Sequence, residues 1–234
     1  QSVQAASYKL ILDRYVGMHK LHKKCAVMTA GNLMTDKAIV NKLSTAMQSR
    51  IISFVIRVCK FAWRKWADGA NVDHRVKSFI EYRPELLHKF DPNHTDLTFP
   101  CPRTWEFTSK LIKPMPRIAI EKLPLLAGTV GEGAAQEFYS YVQIFPDLLK
   151  IEEIVKDPMG CKLNLEKSVH YALSGIIAEE MKPENATELT QFLTRLDIDF
   201  QVVTLKSAIT RNRDLRRNKE IQKWIAINAE ELLD

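Results

Sequence analysis

Three polar positions in this chain have the residue type and placing to handle a phosphate. Asn32 closes Ala30-Gly31-Asn32, just beyond the compact apolar run at residues 25–30. A side-chain amide at the carboxyl end of a buried parallel strand lies where open α/β sheets bind ligands, and it can orient a water or a terminal phosphate. The same asparagine could simply satisfy a turn. Arg50 stands between a helical stretch and the β-branched run at residues 51–56. From a helix end beside a strand, an arginine can reach a neighbouring subunit's nucleotide, a contribution of roughly a thousand- to a hundred-thousand-fold in phosphoryl-transfer rate. Its blander alternative is a helix-terminal cation favoured by the macrodipole. Arg103 follows Pro102, a residue suited to a helix start. A cation in the first turn opposes the dipole, and a bound phosphate would compensate.

The elements that must position these residues have two textures. Up to about Arg57 the pattern mixes helix and strand. Apolar residues at helical spacing predict an amphipathic helix over 1–12, and Gly17 between two short polar-apolar stretches predicts a hairpin over 14–23. Residues 25–30 and 51–56 read as buried strands of parallel type. Residues 36–47 read as a helix capped by Thr35 or Asp36. Helix, strand, helix, strand is the order of part of an α/β sheet. Beyond it the chain reads as helices at 61–69, 73–82, 103–112, 132–144, 165–181, 185–196, 200–211 and 219–233, with a capping box at Asn185 and Glu188. Residues 83–102 carry four prolines and must be a connector. The glycines between 128 and 133 read as a turn feeding a helix, with Glu132 on the positive end of the dipole.

A length of 234 residues, 46% hydrophobic and 26% charged, describes a globular chain able to bury a core. The longest apolar runs are too short to span a bilayer, and no secretory leader pattern opens the chain. Cys25, Cys59, Cys101 and Cys161 lie far apart, as reduced thiols of a cytoplasmic protein would. The net charge of +6 permits nucleic acid without demanding it. The basic stretch at 206–219 could bind phosphates, although a solvated helix end explains it as well. Several chemistries are excluded by pattern. There is no GxxxxGK[ST] phosphate loop, no strand ending in Asp-Glu, no GxSxG, no HExxH and no zinc-spaced cluster. His19, His22 and Cys25 stand three apart but do not share a helix face.

The three signals, in this order, resemble the second half of a MoxR-like AAA+ ATPase. Further strings of that kind are Arg83-Pro84-Glu85-Leu86-Leu87-His88 with Phe90-Asp91-Pro92, then Pro102-Arg103-Thr104-Trp105-Glu106, then the string from Gly128-Thr129-Val130-Gly131 to Phe138. The resemblance runs from Gln1 to about Pro146, with a looser helical tail beyond. It implies a mostly α chain: a remnant of an α/β AAA+ core at 1–58, a helical lid at 59–146 and a helical extension at 147–234. It further implies that Asn32 is the sensor 1 asparagine, Arg50 the arginine finger acting in trans, and Arg103 the sensor 2 arginine on a nucleotide phosphate. The full protein would then use ATP with Mg2+, assemble as a homo-oligomeric ring, commonly a hexamer, and remodel a von Willebrand factor A-like partner. The hairpin tip at Gly17, Met18 and His19 would touch substrate. The nucleotide-gripping front half is not in this sequence, which opens inside a helical pattern without Met, as a fragment or processed form would. Alone it is expected not to hydrolyse ATP. A reading from another class is a non-enzymatic helical adaptor, using Trp63, Trp66 and Trp105 or the stretch at 211–219 to bind protein or nucleic acid.

Overall fold

The computed structural model describes residues 7–34 and 43–230, and what it describes is mostly helical. The chain divides into two compact units, Gln1–Arg57 and Val58–Asp234. No helix among the described residues is long and apolar enough to cross a membrane.

In the first unit a π-helical turn, Lys9–Asp13, ends on Arg14 in the left-handed region at φ 62°. It leads into an antiparallel hairpin of β1 (Tyr15–Val16) and β2 (His19–Lys20), with Val16 opposite His19. Gly17 at φ 59° opens the two-residue loop, where a positive φ matches the loop's twist to that of the strands. The expected helix over 1–12 is described only from Ser7. A four-residue helix, α1 (Thr45–Gln48), starts on Ser44, whose hydroxyl accepts the Met47 N–H at 3.3 Å. The rest of the expected helix over 36–47, with its Thr35 and Asp36 caps, lies outside the described residues.

The two expected strands are not observed. Residues 25–30 and 51–56 belong to no sheet, and Met28, Ile52, Phe54 and Ile56 are all more than four-fifths exposed. The cause is context. A β-branched run becomes a strand only when a neighbour supplies the ladder, and among the described residues neither run has one.

The second unit contains ten α-helices among the described residues: α2 (Lys60–Gly69), α3 (His74–Tyr82), α4 (Pro102–Ile112), α5 (Leu123–Val130), α6 (Glu132–Val142), α7 (Ile151–Lys156), α8 (Lys167–Glu180), α9 (Ala186–Leu193), α10 (Ile198–Arg211) and α11 (Lys219–Ile227). Two apolar clusters hold them. Phe79, Trp105, Leu126 and Phe138 centre the first, built from α2 to α6. Leu173, Ile177, Phe192 and Trp224 mark the second, built from α7 to α11. Helix α8 feeds both, giving Ala172 to one and Leu173 to the other.

Local chemistry explains most helix starts. Asp73 caps α3 through the Arg75 N–H at 2.9 Å, and Asn218 caps α11 through Glu220 and Ile221. Helices α5 and α7 are additions to the sequence reading. Pro124 and Gly128 make α5 look like a loop, yet Pro is harmless in a first turn and burial of Leu126 and Val130 outweighs one glycine. The break between α5 and α6 falls at Gly131, φ 82°, where an added Cβ would stand 3.3 Å from the Thr98 carbonyl oxygen. The Asn185–Glu188 capping box does not form. The Asn185 amide turns back, accepting the Lys182 N–H at 2.8 Å and donating to the Glu180 carbonyl at 3.1 Å.

Candidate functional site

One corner of the second unit gathers three sequence strings. Trp105 donates its indole N–H to the Leu86 carbonyl at 2.7 Å, tying residues 102–106 to residues 83–88. Arg83 donates through Nε to Glu137 at 2.8 Å, tying those to α6. Thr108 and Thr129 share a hydroxyl contact at 2.9 Å, and Thr98 donates to the Thr129 carbonyl at 2.9 Å. Between the 89–100 loop and the start of α6 these contacts leave a cavity of about 300 Å³, with Phe90, His94, Phe99 and Glu132 among its walls. The rings of Phe90 and Phe99 are only 4.7 Å apart, so they pack on each other and leave no slot for a planar ligand between them.

Arg103 belongs to the 102–106 string, in the first turn of α4, and is exposed. The Thr104 hydroxyl closes the start of the helix by accepting the Cys101 N–H at 2.8 Å. Among the described residues Arg103 has no hydrogen-bond or ion-pair partner, so its fork of donors is available to an anion, and the nearby helix dipole would favour one.

The other two candidates belong to the first unit. Asn32 is exposed and has no side-chain partner among the described residues. Arg50 is exposed too, and its guanidinium is turned onto its own helix end, donating to the Ala46 carbonyl at 2.8 Å and to the Ser49 hydroxyl at 3.3 Å. That is the posture the macrodipole favours. To act on another subunit, Arg50 must give up these two contacts.

Two alternatives are reduced by burial. Trp105 and Trp63 are 0% and 6% exposed, which removes them from any adaptor surface, while Trp66 is half exposed. In the basic stretch, Arg211 is committed to the end of α8, donating to the Ala178 carbonyl at 2.8 Å and pairing with Glu179 at 2.9 Å. The imidazole Nδ1 of His22 accepts the Lys24 N–H at 3.2 Å, and no metal-holding group of three His, Cys, Asp or Glu gathers among the described residues.

Sequence reasoning missed a buried charge network among α2, α3 and α10. Asp68 takes the Lys77 ammonium at 3.0 Å and the Ser207 hydroxyl at 2.7 Å, with Arg64 at 3.4 Å. Arg64 and Lys60 also hold Glu81, at 2.9 and 3.1 Å. The four-residue spacing of Arg64 and Asp68 on one helix was the visible signal. Burial pushes the Asp68 carboxyl up, but Arg64, Lys77 and the Ser207 hydrogen bond together overrule it and hold it below its ordinary 3.8. A depressed carboxylate contributes stability above its unfolded value and loses it as pH falls through its folded one. Acid titration of the urea midpoint should therefore show a fall below pH 3.8 that is shallower in Asp68→Asn. Equal slopes would mean that the network is not responsible.

No protein-family model, curated protein or solved structure matches this chain.

Proposed function

We propose that this chain is the stretch of a MoxR-like AAA+ ATPase from sensor 1 through the helical lid (59–146) to a C-terminal extension (147–234), contributing sensor and finger residues to ATP hydrolysis in a ring. One observation supports it above the others. The strings at 83–88, 102–106 and 128–138, which carry the resemblance, are joined by direct side-chain contacts, and the middle string carries Arg103, exposed in the first turn of α4 with no partner among the described residues. Exposed apolar runs at 25–30 and 51–56 agree with strands whose ladder partners lie elsewhere in a larger sheet.

In this reading Arg103 donates to a nucleotide phosphate and couples lid position to nucleotide state. Asn32 positions the attacking water. Arg50 leaves its helix end to stabilise charge on the neighbour's transferring phosphoryl group. The residues present suit phosphate oxygens but offer no Mg2+ ligands, so metal binding falls to the phosphate loop and acidic strand end of the complete protein. A ring, commonly hexameric, and a von Willebrand factor A-like partner follow from the family reading.

The test is Arg50→Ala in the complete protein. Turnover should fall by about a thousand-fold or more while nucleotide binding persists. Full turnover in that variant would remove Arg50 from the finger role.

A further inference from the structure

Between α10 and α11 the chain forms a 3₁₀ turn, Arg213–Arg217, which sorts its residues onto three faces. A 3₁₀ helix has three residues per turn, so side chains three apart eclipse one another. Leu215 holds one face alone. It is fully buried in the second cluster and so fixes the orientation of the other two. Asp214 and Arg217 share the second face and pair at 3.4 Å. Arg213 and Arg216 share the third. Both are exposed, and neither side chain has a hydrogen-bond or ion-pair partner among the described residues. The turn is held at both ends. The Asn212 side chain accepts the Asp214 N–H at 3.1 Å, and the Gln222 amide donates to the Arg216 carbonyl at 3.0 Å.

Three residues of 3₁₀ rise separate the two arginines by about 6 Å along the turn, and like charges that close repel when no carboxylate lies between them. The neighbouring face shows the same spacing neutralised by Asp214. Lys219 adds a third unpaired cation at the first position of α11, where the helix dipole opposes it. A ligand that relieves this repulsion must bring several negative charges at short intervals. Guanidinium forks suit phosphate oxygens, which take two donors at a time. A lipid surface would gain only charge here, because the one apolar side chain of the turn, Leu215, is buried.

We propose that the turn at 213–217, with Lys219, docks the phosphate backbone of nucleic acid without regard to base sequence. The proposal uses none of the ATP chemistry and stands whether or not the ATPase reading holds.

The test is fluorescence anisotropy of the full chain with a labelled DNA duplex between about 50 and 200 mM salt. Each phosphate contact adds about 0.9 to the slope of log affinity against log salt, so Arg213→Ala with Arg216→Ala should flatten the slope by about 1.8. Arg213→Lys with Arg216→Lys keeps both charges and should keep the parental slope, which separates charge from loss of fold. Arg117→Ala with Lys122→Ala removes two exposed, unpaired cations elsewhere in the second unit and lowers the net charge equally. That control should stay within about 0.5 of the parental slope, since it removes no phosphate contact. Equal flattening by the control would overturn the proposal, because binding would then follow net charge alone. So would absence of binding at about 50 mM salt, or a parental affinity indifferent to salt. Polyglutamate displacing the labelled duplex as well as unlabelled duplex does would also overturn it, by showing an acidic protein surface to be as good a ligand.

Discussion

Trp105→Ala should cost the second unit about 3–5 kcal/mol, the range for truncating a large buried aromatic. Trp105 is fully buried, with ring centroids 5.4 Å from Phe79 and 5.6 Å from Phe138. Truncation opens a cavity at the centre of the first cluster and also strips the Leu86 carbonyl of its donor at 2.7 Å. Trp105→Phe separates the two effects. It keeps most of the volume and loses the hydrogen bond, so about 1–3 kcal/mol is expected. Urea unfolding followed by circular dichroism measures both. A loss below about 1 kcal/mol for alanine would place Trp105 outside the core, since core truncations cost more.

Asp68→Ala should be comparably damaging for a different reason. It leaves Lys77, 3% exposed, as a buried charge without its carboxylate, and removing one partner of such a pair costs about 3–5 kcal/mol. The loss should be largely recovered by Asp68→Leu combined with Lys77→Met, because a packed apolar pair of similar volume replaces a buried ion pair at little or no cost. If the double variant unfolds as readily as Asp68→Ala, then Ser207 and Arg64 depend on the carboxylate more than Lys77 does, and the network acts as a whole.

Local signals made much of the second unit legible. Pro102 marked the start of α4, and helical spacing placed the starts of α3 and α11 within a residue of the observed ones. The hairpin at Gly17 was legible because its turn has a residue-level requirement. Partners distant in sequence were not legible. Ser207 meets Asp68 across 139 residues, and nothing in either local pattern announces the other. The strands at 25–30 and 51–56 fail for the same reason, since a strand is a property of a pair. Among the candidate site residues, the arginine at the head of α4 was readable from the helix start, whereas the inward turn of Arg50 onto Ala46 depends on local geometry that its sequence neighbours leave open.

The exposed run Ile51-Ile52-Ser53-Phe54-Val55-Ile56 has a further consequence. Six residues of high β-propensity, with no proline, glycine or charge among them, match the signature of segments that stack into cross-β fibres. Arg50 and Arg57 bracket the run with like charges that repel a second copy laid in register. On this view Arg50 is also a gatekeeper of solubility. Its replacement by alanine opens one flank of an aggregation-prone segment, so activity lost in Arg50→Ala is attributable to catalysis only when the soluble, assembled fraction matches that of the parent.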